Sequence, residues 1–181
     1  MGNFETTLKT GGSLKTVQHG VTVVATGGNA ADTDEYLYGK NDRDMRWHDL
    51  EHNLDKVKAD DTVVFIQCVG SRDDERPYCS RICCTNSMLQ AIAVKETHPD
   101  ADVFILYRDI RTFGERELHY RKARELGVVF VRYSLDNKPV VTESADGLEV
   151  TLFDPILQRN VAISADWINL TTAIVPADTE Q

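Results

Sequence analysis

Apolar positions in this chain fall into two rhythms. Residues 62–68 (TVVFIQC), 103–107 (VFILY) and 128–133 (VVFVRY) are continuous β-branched and aromatic runs, the pattern of strands buried on both faces. Between them, 80–97 has helical character, and 115–126 is charged, amphipathic and closed by Gly127. Strand, helix, strand, helix, strand predicts a parallel sheet with right-handed crossovers. On either side the rhythm shortens. Strands are expected at 4–9 and 14–18 around Gly11-Gly12, and at the apolar run 21–25 (VTVVA), which leads into Thr26-Gly27-Gly28. Asp49 suits the cap of a helix running to Val57, with Leu50, Leu54 and Val57 on one face. Segments 140–143, 148–153 and 160–163 look antiparallel, with Asp146-Gly147 as a hairpin turn, and 167–170 reads as a final strand.

This pattern gives an α/β reading in three segments. The middle, 59–154, is a three-layer nucleotide-binding-like domain with a parallel sheet. Neither 1–58 nor 155–181 shows a self-contained core, so the two ends belong together or to something else. Composition narrows the function classes. With 41% hydrophobic and 27% charged residues the chain of 181 residues should fold, and a net charge of −9 leaves no basic footprint for nucleic acid. No stretch approaches the roughly 20 apolar residues of a membrane span. The first residues lack the pattern of a signal peptide, so a cytoplasmic location is expected.

Candidate chemistry is concentrated in one window. All four cysteines, Cys68, Cys79, Cys83 and Cys84, lie within 17 residues in the spacing C-x10-C-x3-C-C, between the first buried run and the helix after it. A strand-to-helix crossing is where nucleotide-binding folds hold their cofactors, normally through G-x-G-x-x-G; here the crossing reads QCVGSR and that pattern is absent. An anionic, thiolate-bound iron–sulfur cluster could take the same place at a helix N-terminus. Cys79 and Cys83 would share one face of the helix start, with Cys84 about 100° further round, and Arg72, Arg76 and Arg81 would add positive charge. Spacing alone leaves four readings open: an iron–sulfur cluster, a zinc site, a thiol–disulfide centre, and inert buried cysteines. Elsewhere the residues say less. His48 and His52 have i, i+4 spacing without the Glu of a zinc helix and read as a solvated face. Tyr107 and Arg108 close the second strand at the edge where open α/β sheets bind ligands, but without the glycine fingerprint NAD(P) binding is not expected.

The stretch 63–84, VVFIQCVGSRDDERPYCSRICC, closely resembles the central region of the heterodisulfide reductase A-subunit family and related flavoprotein subunits of quinone-interacting oxidoreductases. The likeness continues through DVFILYRDIRTFG at 102–114. It implies that Cys68, Cys79, Cys83 and Cys84 bind a [4Fe-4S] cluster that relays electrons between flavin and partner redox subunits, with no membrane span; it also admits a homodimer. The resemblance further implies a thioredoxin-reductase-like FAD domain interrupted by the middle segment. On that reading 21–28 (VTVVATGG) precedes the insertion, 167–176 (WINLTTAIVP) returns from it, and Thr26, Gly27 and Gly28 contact FAD in the full-length protein. The family's FAD-binding G-x-G-x-x-G and its C-x-x-C-x-x-C repeats are not in this sequence. The chain is therefore expected to be a fragment of an oxidoreductase subunit, inactive alone. The alternative is a structural zinc-binding α/β interaction domain without redox activity.

Overall fold

The computed structural model describes residues 2–144 and 147–178. The chain divides into two compact units, one of 1–28 with 176–181 and one of 29–175. In the first unit β1 (Phe4–Thr10) and β2 (Ser13–His19) form an antiparallel hairpin whose turn, Gly11-Gly12, has φ of 56° and 85°, open to glycine at no steric cost. Phe4 stacks on His19, and Thr6 Oγ1 lies 2.7 Å from His19 Nε2. The apolar run 21–25 does not form the expected strand. Val21, Val23 and Val24 are 71–82% exposed, and they pair with no strand among the described residues. Strand propensity alone does not make a strand, because a strand without a neighbour leaves both its backbone and its apolar face in water.

Strands β3 (Gly28–Ala30) and β12 (Ile174–Pro176) pair with each other. The second unit is built on a five-stranded parallel sheet of β4 (Asp44–Arg46), β11 (Trp167–Thr172), β5 (Thr62–Val69), β6 (Asp102–Tyr107) and β7 (Val129–Arg132), in that spatial order. Alternation along β5 explains the layers. Val63 and Phe65 face a core shared with α2 (Cys83–Thr97) and α3 (Glu117–Glu125), where Met88, Ala91, Val94 and Ala123 are buried. Val64 and Ile66 face the opposite core, against an antiparallel meander of β8 (Val140–Ser144), β9 (Gly147–Asp154) and β10 (Arg159–Ala165), which buries Leu148, Val150 and Leu152. Each fully buried Phe or Ile of this kind contributes roughly 1.5–3 kcal/mol. The α/β reading with a parallel sheet therefore holds, with helices on one face and the meander on the other. Asp146 of the expected hairpin turn lies outside the described residues.

Element boundaries differ from the sequence pattern where backbone geometry intervenes. The helix expected from residue 80 begins at Cys83, because Arg81 takes φ 66° and cannot belong to a right-handed helix. The helix expected over 49–57 is a short α1 (Trp47–Glu51) followed by one 3-10 turn, Leu54–Lys56; Asn53 breaks it at φ −123° and donates to Asp49 O. Asp49 is the third residue of α1, not its cap, and its carboxylate accepts from the Arg46 amide at 3.1 Å. The segment boundaries expected at 58/59 and 154/155 both fall inside the second unit, and β11 pairs directly with β5.

Candidate metal centre

Strand order places the cysteines. From β5 the chain steps through β6 to β7 on one side, whereas β11 pairs with β5 on the other, so the carboxyl ends of β5 and β11 flank the point where the winding reverses. Open α/β sheets form their ligand crevice at such a point. Cys68 arrives there through a bulge. Thr171 lies opposite Gln67 and Thr172 opposite Val69, so Cys68 is the extra residue, and it takes φ 61°. Val69 then occupies the meander-facing core that simple alternation would have given to residue 68. The bulge takes the thiol out of that core.

Ten residues separate Cys68 from Cys79, and the loop is closed by its own bonds. Ser71 Oγ donates to Tyr78 O at 3.0 Å, the Arg72 amide donates to Arg76 O at 2.7 Å, and the Arg76 amide donates to Asp73 Oδ1 at 2.7 Å. Glu35 accepts from the Gly70 amide at 2.9 Å, and Arg108 donates to the carbonyls of Ser71 and Arg72. Tyr78 Oη donates to Ile174 O at 3.0 Å and Ser80 Oγ accepts from the Ile174 amide at 2.8 Å, fixing the loop's return beside Cys79. Cys83 and Cys84 open α2; Cys83 Sγ lies 3.9 Å from Thr172 O and Cys84 Sγ 3.8 Å from Asp109 O. Because α2 begins at Cys83, Cys79 belongs to the loop and does not share a helix face with Cys83 as the spacing had suggested.

All four cysteines are free thiols. Burial pushes the Cys83 thiol up to about 12, reinforced by the neighbouring charges of Cys84, Cys68 and Cys79, and burial likewise raises Cys84, with Cys68 and Cys79 adding to it. Cys83 and Cys84 thus each feel the charges of Cys68 and Cys79. Among the described residues no three His, Cys, Asp or Glu side chains are drawn tightly enough together to enclose a single metal ion. The end of α2 facing this group has no side-chain cap and no acidic residue in its first turn. Of the three arginines expected nearby, Arg72 is the one at the thiols: its Nη1 lies 4.0 Å from Cys68 Sγ and its Nη2 pairs with Asp109 at 2.6 Å. Arg76 pairs with Glu75, and Arg81 is exposed. The hydrogen bond from Arg72, together with the charges of Arg72, Arg111 and Arg132, holds the Asp109 carboxyl below its ordinary value against partial burial. Nothing in the sequence ties Asp109 or Glu35 to the cysteine loop, and only the fold brings them to it. Thr26, Gly27 and Gly28 lie in the first unit and are exposed; Gly27 has φ 75° and accepts from the Ala177 amide at 3.4 Å.

No protein-family model matches the chain. Among solved structures it resembles thioredoxin reductase of T. acidophilum (TM-score 0.57, 12% identity, 94% of this chain and 51% of that one) and L-lysine 6-monooxygenase of Pseudomonas syringae (TM-score 0.55, 12% identity, 96% and 49%), a likeness of fold. Among curated proteins it is 32% identical over 184 residues to the A-subunit of the H(2):CoB-CoM heterodisulfide,ferredoxin reductase of Methanothermobacter thermautotrophicus, covering 90% of this chain and 27% of that protein. It is 37% identical over 135 residues to the A-subunit of the ferredoxin:CoB-CoM heterodisulfide reductase of Methanosarcina acetivorans, covering 70% and 16%. It is 36% identical over 163 residues to the iron-sulfur A-subunit of the CoB-CoM heterodisulfide reductase of Methanocaldococcus jannaschii, covering 79% and 24%. The chain thus spans about a quarter or less of the length of these relatives. With most of its residues aligned to several such proteins, the chain belongs to the heterodisulfide reductase A-subunit family.

Proposed function

We propose that this chain is the electron-transfer segment of an FAD- and iron–sulfur-dependent oxidoreductase subunit, with Cys68, Cys79, Cys83 and Cys84 as the ligands of a [4Fe-4S] cluster. The observation that carries this reading is the convergence of all four thiols on the carboxyl ends of β5 and β11 and the start of α2. The donor set is four cysteines, the usual ligand set of a [4Fe-4S] cluster. Its surroundings also suit a bulky anionic group: the α2 amide end is uncapped, and the Gln67 amide and Thr172 Oγ1, both buried at the strand ends, have no hydrogen-bond partner.

When bound, such a cluster accepts and passes on one electron at a time. The protein's own residues set where and how easily. The closed loop holds Cys68 and Cys79 at the crevice, and the rigid first turn of α2 holds Cys83 and Cys84. Arg72, steered by Asp109, keeps a cation beside Cys68, which should raise the potential of a cluster there. No residue of the window need act as acid, base or nucleophile. In the complete subunit Thr26, Gly27 and Gly28 would contact FAD, and electrons would pass between that flavin and partner redox subunits of a heterodisulfide-reductase-like complex. The reading places the subunit in a reducing, cytoplasmic setting, where thiolate ligands are kept from forming disulfides.

The test is spectroscopic. After anaerobic reconstitution, the protein should show brown absorbance that bleaches with dithionite and a reduced-state EPR signal. Cys68→Ser, Cys79→Ser, Cys83→Ser and Cys84→Ser should each diminish or alter that signal while leaving the fold intact by circular dichroism. A colourless protein, or a signal indifferent to all four substitutions, would sink the assignment.

A further inference from the structure

A second concave site lies at the same edge of the sheet and shares Arg72 and Arg108 with the cysteine loop. It is a cavity of about 480 Å³, of small-molecule size, beyond the ends of β6 and β7. Arg72, Arg108 and Arg132 line it with a single carboxylate, Asp109, and Leu135 and Phe153 supply an apolar wall. In a chain with net charge −9, three guanidinium groups against one carboxylate form a local positive excess. Asp109 is already shared, lying 2.6 Å from Arg72, 3.7 Å from Arg111 and 3.8 Å from Arg132. Arg108 is only 8% exposed, makes its hydrogen bonds to the carbonyls of Ser71 and Arg72, and leaves its Nε without a partner. Among the described residues no carboxylate pairs with it. A buried guanidinium without a counter-ion is costly, and an anion in the cavity would offset that cost.

We propose that this cavity binds a phosphate ester with a flat apolar body, the chemistry of a mononucleotide. Guanidinium groups match phosphate oxygens in forked, charge-assisted hydrogen bonds, and their planes accept a flat ring as the Phe153 face does. A dinucleotide is not the ligand, because the start of α2, where its pyrophosphate would rest, carries Cys83 and Cys84. Arg72 links the two sites, lining the cavity while its Nη1 lies 4.0 Å from Cys68 Sγ. The proposal does not depend on the cluster.

Isothermal titration of the reduced, metal-free protein with AMP, adenosine and inorganic phosphate tests it. AMP should bind at least about tenfold more tightly than either adenosine or phosphate. Arg132→Ala and Arg108→Gln should each weaken AMP at least about tenfold, the scale of one lost charge-assisted hydrogen bond. Arg132 is the more exposed of the two and keeps the test open if Arg108→Gln fails to fold. The proposal is overturned if AMP binds no better than adenosine, if it binds no better than phosphate, or if folded Arg132→Ala binds it as the parent does. Because the titration needs no metal, its failure would leave the iron–sulfur assignment untouched.

Discussion

At the amino-terminal edge of the parallel sheet, Asp61 accepts from the Trp167 indole at 2.7 Å and from the Lys58 amide at 2.9 Å, and Asp166 accepts from the Thr62 amide at 2.9 Å. At the carboxyl edge of the same strands, the Gln67 amide, Thr172 Oγ1 and Arg108 Nε are buried without partners. Four residues there, Cys68, Gly70, Arg72 and Arg81, adopt positive φ, three of them without the freedom of glycine. Around Asp61 and Asp166 the first edge is closed by complementary local bonds. The other carries strain and unmet polar groups, together with every cysteine and most of the arginines near them. Backbone strain and orphaned donors persist where surrounding structure holds them in place, and they gather at sites that bind something. The contrast explains why substitutions at the two edges should fail differently.

The largest effect on stability is expected at the closed edge. Asp61→Ala leaves the Trp167 indole and the Lys58 amide without their acceptor and should cost about 2–3 kcal/mol in urea denaturation. It should leave metal uptake by the cysteines unchanged once the protein is folded. An equal loss of uptake would break the separation of the two edges.

Asp44 is a buried carboxyl outside the cysteine window. Burial raises Asp44 to about 6 against a lowering hydrogen bond from the Leu37 amide, and its Oδ1 has no partner. The folded state therefore holds this proton more firmly than the unfolded chain. The carboxyl costs nothing below about pH 4; its penalty grows as the pH rises towards about 6 and stays in full above that. Asp44→Asn should accordingly stabilise the protein at pH 7 by roughly 1–3 kcal/mol and have little effect at pH 4. Thermal unfolding across that range checks the sign.

The smallest effect is expected at Arg81, exposed and at φ 66°. Arg81→Gly should relieve left-handed strain and raise stability by roughly 0.5–1 kcal/mol, whereas Arg81→Ala should not. Equal responses to Gly and Ala would mean that the turn before α2 stores no strain.

Much of this architecture was legible from β-branched runs. Strands β5, β6 and β7 and the meander announced themselves because burial on both faces, or on one, leaves a strong residue pattern. The run at 21–25 misled for the same reason: its composition is that of a strand, but pairing depends on a neighbour that the pattern cannot report. The cysteine spacing marked the site, and the family resemblance supplied a ligand set. The bulge at Cys68, the left-handed turn at Arg81 that moves Cys79 off the helix, and the steering of Arg72 by Asp109 across 37 positions had no sequence signature. They arise from backbone geometry and from strand order, which places β11 beside β5.

The central claim is that the carboxyl edge holds a thiolate-bound [4Fe-4S] cluster. Its most direct test is the number of irons, acid-labile sulfides and zinc ions per chain after anaerobic reconstitution. About four irons and four sulfides are expected, with negligible zinc, and a marked loss of both in Cys68→Ser and Cys83→Ser. One zinc per chain with no sulfide would contradict it and make the four cysteines a structural tether.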